Sequence, residues 1–393
     1  MKDLYEKALE LHEELQGKIS TELKTPLKDK DDLSLVYSPG VAEPCRKIAD
    51  NVNDAYKYTG KANTIAVISN GTAVLGLGDI GPEAALPVME GKCCLFKQFG
   101  GVNAIPLVIN TKDVEEVINF VKLVSPGLGG VNLEDIKAPE CIEIERRLKE
   151  ELDIPVFHDD QHGTAIVTIA ALINSLKLID KKFEDCNVVI SGAGAAGSSI
   201  IRMLLDLGIN NVYAFNSKGV LNKKHKDEYT NPLYKELCEI TNNDGEDITL
   251  EDAMKKADIF IGVSVPNKIN KEMVKSMRRD PIILAMANPN PEIPYEDAIE
   301  AGARIVGTGR SDYPNQVNNV LAFPGLFKGA LAVHSKKISE SMKIAAARGI
   351  ASLISDDELK EDYVIPSPFD PRVADVVADA VAKQAREEGL TRD

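Results

Sequence analysis

The stretch NVVISGAGAAGSSIIRMLL constrains the fold more than any other part of the chain. A β-branched apolar run ends at Ser191, glycines follow at 192, 194 and 197, and an apolar helical pattern begins at once. That order calls for a strand, a tight turn and a helix packed back on the strand. Gly192 permits the turn, Gly194 lets the backbone approach a pyrophosphate, and Gly197 allows close helix–strand packing. The helix N-terminus, with Ala195 and Ala196, then faces the phosphates. A purely structural glycine turn is the competing reading. Against it, NVYAF downstream supplies a second strand, and its end carries Asn216, Ser217 and Lys218 where a ribose contact belongs. Binding of NAD or NADP is expected.

The same alternation of β-rich and helical runs extends over most of the chain. TIAVIS, AVLGLG, NAIPLVI, GGVNLED and PVFHDD precede the glycine motif, and NVYAF, DIFIGVS and PIILAMA follow it. An α/β fold with mostly parallel strands is expected. Between the two groups, Gly163 to Ile179 reads GTAIVTIAALINSLKLI, apolar on most sides and therefore expected as a buried helix and a hinge between domains. A length of 393 residues suits about two domains. The expected division is an N-terminal α/β domain over 1–160, a Rossmann-type domain over 161–335, and a helical segment over 336–393 packing on the first domain or a partner subunit.

The N-terminal MKDLYEKALELHEEL spaces Leu4, Ala8, Leu11 and Leu15 at helical intervals and is charged throughout. It reads as an amphipathic helix and not as a signal peptide, so a cytoplasmic location is expected. The six cysteines form no CxxC pair and are expected to be reduced and buried. A formal charge of -15 with no clustered basic run excludes a nucleic-acid surface, and no membrane partner is expected.

VFHDDQHGTA, from Val156 to Ala165, packs two histidines and two aspartates into five residues. GGVNLEDIKAPE likewise ends a strand with Glu134 and Asp135. Two strands of one parallel sheet bring their C-terminal ends to one edge, so three carboxylates are expected to meet there. Oxygen-only ligands favour Mg²⁺ or Mn²⁺ over zinc. His158 and His162 are four apart, yet the residues before Gly163 read as a strand end and loop, so a shared helix face is not expected. The alternative is that Asp159 or Asp160 caps the following helix.

Several longer blocks carry a resemblance. YSPGVAEP, SNGTAVLGLGDIGPEAALPVMEGK, NLEDIKAPEC, VFHDDQHGTA, SGAGAAG, ANPNPE and TGRSDYPNQVNNVLAFPG together resemble the malic enzymes of the short bacterial and archaeal type, over nearly the whole chain. The resemblance implies oxidative decarboxylation of L-malate to pyruvate and CO₂, with reduction of NAD or NADP and dependence on Mg²⁺ or Mn²⁺. It implies Glu134, Asp135 and Asp160 as metal ligands and Lys92 as general base, a role that requires a lowered pKa. Asp159 is implied as the partner of the Lys92 ammonium. Tyr37, in a short extended segment entering a turn, is implied as the proton donor to C3, and Asn288 and Asn319 as amides binding the substrate carboxylate, with Asn288 also beside the cofactor. A homodimer is implied as well, with Tyr37 serving its own or a neighbouring subunit.

Two alternatives share these motifs. One is a malolactic-type enzyme that releases lactate; the other is a non-catalytic cofactor-binding protein, which predicts losses among Tyr37, Lys92, Glu134, Asp135 and Asp160, none of which is lost. One departure stands out. Many relatives read DSKG after the second strand of the dinucleotide fold, and this chain reads NSKG, so discrimination against NADP⁺ is expected to be weaker.

Overall fold

The computed structural model describes residues 3–74 and 76–392. Among them, ten strands form two sheets. The first comprises β1 (Thr64–Ser69), β2 (Asn103–Val108), β3 (Gly130–Leu133) and β4 (Val156–His158), ordered β2-β1-β3-β4 and parallel throughout. The second comprises β5 (Asn187–Ser191), β6 (Asn211–Asn216), β7 (Gly219–Val220), β8 (Ile259–Gly262), β9 (Ile282–Ala285) and β10 (Ile305–Thr308). Its order, β10-β9-β8-β5-β6-β7, is that of a doubly wound dinucleotide fold, with the short β7 antiparallel to β6. Helices cover the faces of both sheets, which accounts for strands that are apolar without alternation.

Two expectations about strands need correction. AVLGLG is a turn: Val74 bridges Gly78 antiparallel, and Gly76 and Gly78 hold φ of 78° and 80°, where an extended strand cannot continue. Of that segment, Leu75 lies outside the described residues. β10, from RIVGT, was not among the expected strands, because its short apolar core is hard to separate from the helix before it.

The helix Asp159–Leu178 lies at the centre of the molecule and is buried over most of its length. It packs against the helices Ala195–Asp206 and Glu340–Ser352, which explains an apolar pattern with no polar face. It starts four residues earlier than expected, at Asp159. Acidic side chains in its first turn suit the positive end of the helix dipole, so the two aspartates continue the helix rather than precede it.

After the second sheet the chain turns back. The helix Phe323–Ala332 packs on the helix Pro82–Gly100 of the first sheet and on the final helix Val373–Glu387. Phe96 meets Phe323 and Phe327 edge-on, with centroids at 4.7 and 5.4 Å, and Phe157 meets Phe327 at 6.0 Å.

By contrast, the helices Leu4–Leu15, Lys30–Val36 and Ala42–Asp50 contain no buried residue. The expected amphipathic helix forms, but Leu4, Leu11 and Leu15 are exposed. All six cysteines are free thiols; Cys93, Cys141, Cys186 and Cys238 are buried, whereas Cys45 is exposed and Cys94 half-buried, contrary to expectation. No helix among the described residues is long and apolar enough to cross a membrane.

Candidate active site

Leu133 of β3 pairs with His158 of β4, so the residues that follow each strand emerge side by side at one sheet edge. Glu134 and Asp135 leave the first strand, and Asp160 stands in the first turn after the second. Ligand oxygens of the three carboxylates lie within 4.8 Å of one another. Asp135 adopts a left-handed backbone with φ of 52°, and its N–H donates to Asp160 Oδ2 at 2.9 Å, which fixes the two acids relative to each other. The donor set contains oxygen alone, and in that respect it fits Mg²⁺ or Mn²⁺. Neither histidine joins it. His158 is the residue preceding the helix, with an extended backbone, and no side chain caps this N-terminus; the capping reading of Asp159 and Asp160 is therefore set aside.

Asp159 and Asp160 diverge because consecutive helical residues point about 100° apart. Asp160 turns to the acid cluster, and Asp159, fully buried, turns inward to Lys92 of the helix Pro82–Gly100 at 2.7 Å. Lys92 also meets Glu134 at 2.8 Å. The same Asp159 oxygen accepts from the Asn319 amide. Gly163, one turn on, leaves room for this carboxylate: a Cβ there would lie 2.0 Å from Asp159 Oδ1. Glycine inside a helix costs about 1 kcal/mol relative to alanine, so this close approach is what the position requires.

Burial lifts the Glu134 carboxyl well above its ordinary range; Lys92 opposes this, and Asp160, Asp159 and Asp135 add to it. Burial likewise lifts Asp159, with Lys92 again in opposition. For Lys92, burial disfavours the charge, but Asp159 and Glu134 outweigh it and hold the ammonium above the usual lysine value. This is the reverse of the lowered value that a general base needs. Four carboxylates around one ammonium in a dry site cannot all ionise cheaply, so the residues by themselves favour retained protons.

A second buried network brackets the acid pair. Glu145, on the helix Glu140–Glu151, accepts the His158 backbone N–H at 3.0 Å through one oxygen, and its other oxygen lies 2.7 Å from His162 Nε2. His162 Nδ1 faces Ser199 Oγ at 2.8 Å and Lys343 Nζ at 3.0 Å. A ring donating from Nε2 and accepting at Nδ1 satisfies all of these partners. Burial pushes the imidazole down to about 4, despite Glu145, so it is neutral at pH 7. Glu145 stays well below its ordinary range because His162 and Lys149 outweigh its burial. Glu145 and Lys343 escaped sequence reasoning, since each lies on a different helix from the motif it serves, Lys343 181 residues from His162.

The acid cluster opens on a cavity of about 710 Å³ whose far wall belongs to the second sheet: Asn288 follows β9, Gly309 follows β10, and Asn319 opens a short 3₁₀ turn. Lys92, Asn288 and Asn319 therefore face one space. At β5, Gly192 has φ of 106°, and a Cβ on Gly197 would fall 1.8 Å from the Gly192 carbonyl oxygen. Space beside Gly194 is open, and Ala195 and Ala196 begin the helix. Glu292, fully buried, accepts from Ser264 N at 2.7 Å and Ala287 N at 3.1 Å, tying the loops after β8 and β9 together. Asn216 ends β6 and accepts the Lys218 N–H at 2.8 Å, and Ser217 and Lys218 are exposed in that turn.

Tyr37 does not join these groups. It closes the helix Lys30–Val36 rather than an extended segment, is 69% exposed, and is not on the cavity wall.

Comparison with known proteins gives this arrangement its family. Residues 16–149 match the family model of the malic enzyme N-terminal domain, and residues 161–386 match that of the malic enzyme NAD binding domain. A Bacillus subtilis protein named bifunctional malic/malolactic enzyme is 58% identical over 99% of this chain and 95% of its own length. A Geobacillus stearothermophilus NAD-dependent malic enzyme is 55% identical over 96% of this chain and 78% of that protein. The crystal structure of malic enzyme from Pyrococcus horikoshii superposes with a TM-score of 0.96 at 46% identity, covering 99% of this chain and 92% of that one. The chain belongs to the malic enzyme family.

Proposed function

We propose that this protein catalyses oxidative decarboxylation of L-malate to pyruvate and CO₂ with reduction of NAD⁺ or NADP⁺, dependent on Mg²⁺ or Mn²⁺. One observation carries the reading: the three-carboxylate cluster and the Lys92–Asp159 pair share a cavity with Asn288 and Asn319 of the dinucleotide-binding half. Glu134, Asp135 and Asp160 hold the cation. When bound, it supplies Lewis acidity toward the C2 oxygen and a positive charge that offsets the carboxylates holding Lys92 protonated. Lys92 removes the C2 hydroxyl proton, and Asp159 stabilises the resulting ammonium. Asn288 and Asn319 orient a substrate carboxylate so that the C2 hydride faces the nicotinamide of a dinucleotide whose pyrophosphate lies on Gly192, Gly194, Ala195, Ala196 and Gly197 and whose ribose meets the 216–218 turn. After loss of the β-carboxylate, Tyr37 protonates C3.

Tyr37 reaches that position from a second copy of the chain. Supporting this, the N-terminal segment leaves Leu4, Tyr5, Leu9, Leu23 and Leu35 exposed, an apolar arm that a homodimer would cover. The division near residues 160 and 335 is part of the same proposal, and so is a cytoplasmic location, which the free thiols favour. A second reading, reduction of pyruvate to lactate before release, is favoured by the name of the Bacillus relative. An assay with malate and Mn²⁺ plus NAD⁺ or NADP⁺ tests both. Accumulating NAD(P)H with trapped pyruvate supports the first, lactate without net NAD(P)H supports the second, and no malate consumption overturns both.

A further inference from the structure

We infer that Lys18 binds a carboxylate of the substrate. The inference rests on the proposed malate chemistry and deepens it. A dicarboxylate entering this cavity faces Glu134, Asp135 and Asp160, and a bound cation serves only the end of the molecule it touches. The other carboxylate, partly desolvated, needs a counter-charge of its own. Among the described residues, the cavity wall carries two lysines, Lys18 and Lys92. Lys92 is committed to Asp159 and Glu134.

The Lys18 ammonium is held instead by the Pro87 carbonyl at 2.5 Å and His12 Nε2 at 2.9 Å. His12 Nδ1 lies 2.6 Å from the Ala8 carbonyl, which fixes the tautomer with a proton on Nδ1 and leaves Nε2 to accept from Lys18. Glu90 accepts the backbone N–H of Lys18 at 3.0 Å. Cys94 Sγ donates to the Lys18 carbonyl at 3.6 Å. The backbone is thus pinned to the helix Pro82–Gly100 on both sides, and the side chain runs along the cavity wall. A Cβ on Gly91 would lie 3.6 Å from Nζ, so the ammonium crosses the helix at the residue just before Lys92, and any longer side chain at 91 would displace it. A positive charge not paired with an acid, oriented beside the base and facing the cavity, is what a second substrate carboxylate requires.

The alternative is that Lys18 merely tethers the N-terminal segment. Lys18→Met keeps the apolar stem and removes the charge, and Lys18→Arg restores it. We expect Lys18→Met to raise the KM for malate about tenfold or more, with a smaller change in kcat, and Lys18→Arg to recover much of the loss. Inhibition by tartronate, a dicarboxylate, weakens in parallel, and inhibition by glycolate, its monocarboxylate counterpart, does not. A malate KM within about twofold of wild type overturns the inference, and so do equal rises in the constants for malate, Mn²⁺ and NAD⁺, the mark of a loosened site. Wild-type protein that fails to oxidise malate overturns the functional reading instead; calorimetric binding of tartronate to wild type and Lys18→Met then still decides the role of Lys18.

Discussion

Lys92 and Asp159 meet at 2.7 Å although 67 residues separate them, the lysine midway along the first sheet's helix and the aspartate at the start of the helix that leaves that sheet. Both are buried, and their pairing holds the lysine protonated, so any base function depends on charge brought to the neighbouring carboxylates.

The acid cluster is a site of stored repulsion, and removing one member has opposite effects on stability and activity. Asp160→Asn relieves like-charge strain on Glu134, so the metal-free variant is expected to melt at or above the wild-type temperature. It also removes one of the three proposed ligands, so Mn²⁺-dependent malate oxidation is expected to fall roughly 100-fold or more and the rise in Tm on adding Mn²⁺ to disappear. Thermal melts with and without Mn²⁺, alongside the rate assay, check this; a retained Mn²⁺ shift would remove Asp160 from the ligand set.

If Tyr37 acts across a dimer, two inactive variants complement each other. Lys92→Ala lacks the proposed base and Tyr37→Phe the proposed acid, and a mixed dimer holds one site with both intact. After exchange of subunits, roughly a quarter of wild-type activity is expected from random pairing in a two-fold dimer. Mixtures no more active than their components place Tyr37 in its own subunit's site or outside catalysis.

Asn216 accepts the Lys218 N–H, a bond that an aspartate oxygen makes equally well, so Asn216→Asp leaves the turn intact. The new charge repels a 2′-phosphate and accepts from ribose hydroxyls. The ratio of kcat/KM for NAD⁺ over NADP⁺ is therefore expected to rise about tenfold or more. Steady-state kinetics with both cofactors measure it, and an unchanged ratio means that preference is set elsewhere.

Burial and Lys149 push the Lys343 ammonium down to about 8, although Glu340 and Glu145 oppose them. The unfolded chain then binds this proton more tightly than the folded one. From this group, stability is diminished below pH 8, rises between about 8 and 10.5, and levels off above. Lys343→Met lacks that rise. The wild-type stability relative to the variant is expected to grow by roughly 1–3 kcal/mol from pH 7.5 to pH 10. Groups common to both proteins, such as Lys61, held down to about 8 by its burial, cancel in the comparison. Denaturant titrations at the two pH values test this, and a constant difference would show that Lys343 titrates normally.

What the sequence determined by itself is local. Strand, glycine turn and helix at 187–206 follow from backbone sterics and hydrophobic period over some 20 adjacent residues, and the acids at 134, 135 and 160 follow from strands that end where polar residues begin. Tertiary structure added to the start of the helix after β4 what its acidic first turn could not supply by itself, because Glu145 clamps the His158 N–H and the His162 ring from another helix. It also decided the protonation of Lys92, which depends on two acids remote in sequence and on the loss of water around them. It left Tyr37 outside the cavity and brought Lys18 onto its wall. Periodicity reports which face of an element is apolar, whereas a charge takes its energy from every group within a few ångströms, and only the folded chain sets those distances.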